Sequence, residues 1–182
     1  MDESVGIVEP LDPHPSVIVR FIQSAAEQGW PSNTGQFHEF FEHLGCELEV
    51  VDDPAGTELP ALTRGFFTRI DMRTEGASWV ALDGSLFSVN LFAYQHERDV
   101  TAAVVAGYAG VRAGLIGLFG QSSDEQTDPR GNRAAMWTTQ DALIELYAHV
   151  AEAPVLQVGI SHRERNATYE LLSAHTAFKP KP

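Results

Sequence analysis

Apolar positions along this chain change period several times, and each change marks an element. Over 17–28, VIVRFIQSAAEQ, Val17, Phe21, Ser24 and Ala25 share one helical face. Ser16 is the expected N-cap, and Gly29-Trp30-Pro31 the stop. Phe37, Phe40, Phe41 and Leu44 then recur at helical spacing, after a cap at Ser32 or Thr34. Gly45 suits the left-handed residue that closes such a helix, and Glu39, Glu42 and His43 take its polar face. At Cys46 the period falls to two. Cys46, Leu48 and Val50 alternate with Glu47, Glu49 and Val51, the pattern of a half-buried strand.

Residues 53–65 read as a loop, and strands are expected over 66–73, 78–82 and 85–94. Glu75-Gly76 and Asp83-Gly84 are the turns between them, and Asp-Gly flanked by apolar runs is a strong hairpin signal. A long helix over 99–119 follows. Gly107, Gly110, Gly114 and Gly117 fall on one stripe beside Ala103. Each interior glycine costs on the order of 1 kcal/mol against alanine, so the stripe implies a second element packed close to the backbone. Residues 121–132 read as a polar loop. Strands are expected over 134–138, 142–150 and 155–162, although Ile144 to Tyr147 fits a helix as well. A terminal helix over 166–175 completes the pattern.

Strands arrive in hairpin runs instead of alternating singly with helices. The order therefore predicts an α+β fold. It has a mainly antiparallel sheet of about five to seven strands, two N-terminal helices, one long Gly-rich helix packed on the sheet, and a C-terminal helix. Residues 1–15, with Pro10, Pro13 and Pro15, read as an extended acidic arm, 16–178 as one domain and 179–182 as a tail.

Composition narrows this frame. A chain of 182 residues that is 43% hydrophobic and 20% charged can bury a core of its own. The single cysteine excludes an internal disulfide and fits a reducing cytoplasm. The N-terminus lacks the cationic segment of a signal peptide. Residues 101–120 approach the length of a membrane span, but Arg112 at mid-segment would be costly there. A cytoplasmic protein is the expectation.

Charge is the most uneven property. The net charge is −13, and residues 1–63 set twelve acids against Arg20 alone. Such a field repels nucleic acid and anionic membrane and attracts a basic partner. Six of these acids cluster between the second helix and the strand after it: Glu39, Glu42, Glu47, Glu49, Asp52 and Asp53. They are the partner-binding candidates. Acids on an edge strand also keep sheets from pairing edge to edge.

No reaction can be read from the motifs. His38 and His43 are five apart, about 500° of helical turn, and diverge instead of sharing a zinc face. The glycines at 107–120 match no phosphate-binding loop, and the only lysines are Lys179 and Lys181. There is no Gly-x-Ser-x-Gly elbow, and Cys46 has no cationic neighbour in sequence to activate it. Asp52-Asp53 lacks the spaced oxygen donors of a calcium loop. Trp30, Trp79 and Trp137 are too scattered for base stacking. Neither a metal nor a cofactor is expected.

One resemblance rests on structural marks. These are the Gly29-Trp30 helix end, Phe40-x-x-x-Leu44-Gly45 before a strand, LIGLFGQ at 115–121, a Pro-Gly loop, and AAMWTT at 134–139. In them the chain resembles small actinobacterial α+β proteins of the polymorphic-toxin immunity type. The resemblance implies a protein that neutralises a cognate toxin by covering its basic active surface, and it carries over no functional residue. Two other readings stand beside it. One is a dimeric secretion chaperone or adaptor using the glycine stripe as its groove or dimer contact. The other is an enzyme with an unrecognised site near His96, His162 or Glu42.

Overall fold

The computed structural model describes residues 10–48 and 62–177. Within them, four α-helices and eight strands come in blocks. Helices α1 (Pro15–Glu27) and α2 (Phe37–His43) precede strands β1 (Cys46–Leu48), β2 (Leu62–Ile70), β3 (Gly76–Leu82) and β4 (Ser85–Ala93). Helix α3 (Val100–Phe119) then leads into β5 (Asp124–Thr127), β6 (Arg133–Thr138), β7 (Ala142–His149) and β8 (Val155–His162), and α4 (Arg163–Ala177) closes the order.

These eight strands form one sheet in the order β1-β2-β3-β4-β8-β7-β6-β5, and every neighbouring pair is antiparallel. Two four-stranded meanders thus meet at β4 and β8. The α+β class and the antiparallel sheet agree with the sequence pattern. The strand count exceeds the expected five to seven. The additional strand, β5, lies in the segment read as a polar loop. All four of its residues are exposed, so no apolar alternation marks it. Strand β2 also begins earlier than the pattern suggests, at Leu62, which is buried.

Strand β7 shows how the sheet meets the core. Ala142, Ile144, Leu146 and Ala148 are buried, whereas Leu143, Glu145, Tyr147 and His149 alternate with them half-buried. The buried face packs under α1 and α3. On the opposite face α4 covers one corner, where Tyr169 and Leu172 pack on Leu62, Leu82 and Phe87. The ring of Phe87 stacks on Tyr169 at 5.1 Å.

Helix α1 differs from the sequence expectation in cap and face. Pro15 opens it, and the side chain of His14, not that of Ser16, accepts the Ser16 N–H as N-cap. The buried side chains are Ile18, Val19, Phe21, Ile22 and Ala25, while Val17 is half-buried. The chain before α1 is tied to the core, because the Tyr94 hydroxyl donates to the Pro13 carbonyl at 2.8 Å.

The element behind the glycine stripe is chiefly α1. A β carbon at Gly110 would stand 2.8 Å from Pro15, and one at Gly114 2.6 Å from Val19. At Gly107 it would meet the ring of Tyr94. By length and composition α3 could cross a membrane. One side of it packs inward, with Val104, Tyr108, Val111 and Leu115 buried, while Ala106, Ala109, Ala113 and Leu118 on the other side are exposed. The Asp83-Gly84 hairpin forms as expected, with φ of 50° and 72° at its two central residues, as a type I′ turn requires.

Candidate protein-interaction surface

Helix α2 is a rigid platform because its inner face is aromatic. Phe37 meets Trp79 edge-on at 5.2 Å, Phe41 meets Phe67 at 4.9 Å, and Phe40 lies 5.9 Å from Trp30. Such contacts fix the helix against the sheet. Its outer face carries His38, Glu39, Glu42 and His43, all exposed. Gly45 closes the helix at φ 69°, with its N–H donating to the Glu42 carbonyl at 3.0 Å. The chain passes directly into β1.

Three of the six candidate acids fall on this surface. Glu39 and Glu42 stand on α2, and among the described residues neither carboxylate has an ion-pair partner. Glu47 on strand β1 is already engaged, by Arg69 of β2 at 2.8 Å. That contact lies mostly in solvent, where an ion pair contributes little to stability. It does reduce the free negative charge of the edge. Glu49, Asp52 and Asp53 lie outside the described residues.

Beside α2 lies an open cleft of about 430 Å³ that the sequence does not reveal. Trp30, Pro31 and Ser32 form one wall, and Glu39, Phe40 and His43 the other. The first wall is held from behind by α4. Arg165 donates to the carbonyls of Pro31 and Leu86, each at 2.6 Å, and Leu86 N–H donates to Pro31 at 3.1 Å. Ser85 Oγ also donates to the Ser32 carbonyl at 3.0 Å. The sequence marks Gly29-Trp30-Pro31 only as a helix stop. That this stop becomes a wall depends on Arg165, more than a hundred residues away. The cleft therefore joins a carboxylate, two aromatic rings and a fixed backbone edge. That combination suits a cationic side chain.

The histidines singled out for acid–base chemistry are separated. His162 ends β8 near the start of β4, and His96 follows the end of β4. They are on the order of 20–30 Å of strand apart. His162 has a structural task, since its Nδ1 accepts the Arg165 N–H at 3.4 Å in the first turn of α4. Its ring meets Trp30 edge-on at 5.9 Å. Burial, aided by the Arg165 charge, holds its pKa below the ordinary histidine value. His96 is exposed, and its N–H donates to Glu75 at 3.2 Å. Cys46 is buried, and burial together with the charge of Asp71 pushes its thiol up to about 12. Among the described residues no three His, Cys, Asp or Glu side chains gather closely enough to hold a metal ion.

The architecture defines a single-sheet α+β domain with an acidic helix at one end of the sheet. No protein-family model matches the chain, and no curated protein matches it. It is similar to the crystal structure of a DUF4309 family protein, YjgB, from Bacillus subtilis subsp. subtilis str. 168. The identity is 14%, with 81% of this chain and 97% of that chain covered, and the TM-score is 0.45. Similarity at that level supports neither a shared fold nor a shared function.

Proposed function

We propose that this chain is a non-enzymatic protein-binding domain that covers the basic surface of a partner, in the manner of an immunity protein that neutralises a bacterial toxin. The observation that carries this reading is the pair Glu39 and Glu42. Both are exposed on a helix locked by aromatic contacts, and neither is neutralised by an ion pair among the described residues. An enzyme acting on nucleic acid or nucleotides needs a cationic cleft. An acidic surface can plug such a cleft and reach it quickly through electrostatic steering.

The cleft beside α2 gives that surface a means of specificity. A lysine or arginine of the partner would enter the cleft over the half-buried Trp30, with Glu39 as its counter-charge. The secretion-chaperone reading relies on an open glycine stripe. Gly110 and Gly114 are covered by α1, so of the stripe only Gly117 stands open for such a contact.

Two experiments test the proposal. The reading frame next to this one should encode a toxin domain, and capture from native lysate should return a basic protein. Capture lost in the Glu39→Lys/Glu42→Lys variant supports the acidic face. Capture unchanged by that variant rejects it.

A further inference from the structure

A second cleft, of about 570 Å³, opens between α3 and the β5–β6 edge. It lies at the opposite end of the sheet from β1, so it is separate from the α2 surface. Its floor is Tyr108, only 5% exposed, and Arg112 and Arg133 stand beside it. Arg112 is satisfied: it donates to Glu125 through Nε at 2.9 Å and a terminal nitrogen at 2.6 Å, and the Ser122 hydroxyl donates to the same carboxylate oxygen. Arg133 has no acidic partner among the described residues. In a chain of net charge −13, this cleft carries one guanidinium in excess, next to a phenol that lines its floor.

The rim of the cleft is also unusual. Strand β5 is the last strand of the described sheet, pairs there with β6 alone, and has all four residues exposed. Its outer backbone groups can therefore pair with an added strand. Glu125 and Thr127 on β5 face the same side as Arg133, because Thr127 pairs with Arg133 and Glu125 with Ala135.

We propose that this cleft binds an extended peptide that adds to the β5 edge and places one carboxylate on Arg133 and the Tyr108 hydroxyl. A planar monoanion fits the single free guanidinium fork and the phenol donor. A dianionic phosphate would meet Glu125 and the field of the whole chain at greater cost. The site is independent of the acidic face of α2, and either can fail without the other.

The test is a screen of random heptapeptides against the full chain, in one set with free C-termini and one set with amidated C-termini. Hits are measured by fluorescence anisotropy. The expected hits carry a carboxylate, lose about tenfold or more in affinity with Arg133→Ala, and lose about threefold with Tyr108→Phe. Both variants should keep the wild-type unfolding midpoint. Hits confined to the free set assign the terminal carboxylate. Aspartate- or glutamate-bearing hits in both sets assign a side chain. Bound peptide should shift the backbone amide resonances of residues 124–127. The proposal is overturned if no peptide binds, if hits show no carboxylate preference, or if Arg133→Ala binds them as tightly. Tighter binding by phosphorylated versions, or resonance shifts confined to α2, overturns it as well.

Discussion

Gly107 of α3 lies directly against the ring of Tyr94: a β carbon at that position would fall 2.1 Å from Cε2. Tyr94 cannot easily yield, since it is buried and its hydroxyl is tied to Pro13. Gly107→Ala should therefore destabilise the fold by about 1–3 kcal/mol in urea unfolding. Gly117 supplies the control, because a β carbon there would meet nothing within 4 Å. Gly117→Ala should leave stability unchanged or raise it by up to about 1 kcal/mol. Equal effects at the two positions would show that the glycine stripe is not a packing contact.

Arg165 bridges the cleft wall and the sheet through the carbonyls of Pro31 and Leu86. Arg165→Met keeps much of the volume but leaves both acceptors without this donor. The expected loss is about 2–3 kcal/mol, read from urea unfolding. Intrinsic tryptophan fluorescence should also change, since the Trp30 carbonyl lies 3.5 Å from the same guanidinium.

Cys46 links burial to pH. Its thiol ionises in the fold only near pH 12, against 9.0 for the free group, so the folded state favours the neutral form. The associated stability is fully present below pH 9 and is lost as pH rises toward 12. Burial raises the pKa of Tyr94 too, which adds a loss in the same direction. Unfolding measured from pH 8 upward should show declining stability, and Cys46→Ala should make the decline shallower. At pH 8 iodoacetamide should label the native protein far more slowly than the protein in concentrated urea.

The Asp83-Gly84 hairpin sets the register between β3 and β4. Gly84 has φ 72° with open space around it, so strain in Gly84→Ala would come from backbone conformation alone. A loss of about 1 kcal/mol in thermal or urea unfolding is expected.

These contacts also show which features the sequence encodes locally. Asp83-Gly84 and the Gly45 helix end are both legible in it, because each depends on near neighbours in the chain, whereas Ile144 to Tyr147 of β7 fit a helix as well as the strand they form. Strand β5 is not, since a polar edge strand has no buried face to impose a period of two. The buried face of α1 departs from the expected one because α3 lies against it and draws Val19 inward. The acidic face of α2 follows from the spacing of Phe37, Phe40 and Phe41. The cleft beside it does not, because Arg165 and Leu86 hold its wall from distant parts of the chain. Arg69 likewise pairs with Glu47 only once β1 and β2 are in register.

Steering of a basic partner onto α2 by Glu39 and Glu42, as proposed above, is read from the association rate constant with the captured partner, measured by stopped flow across a range of ionic strength. The wild-type chain should associate fast at low salt and slow steeply as salt is added. Glu39→Lys/Glu42→Lys should associate at least about tenfold more slowly at low salt, with a much flatter salt dependence. An association rate and salt dependence unchanged by the two reversals would contradict the account.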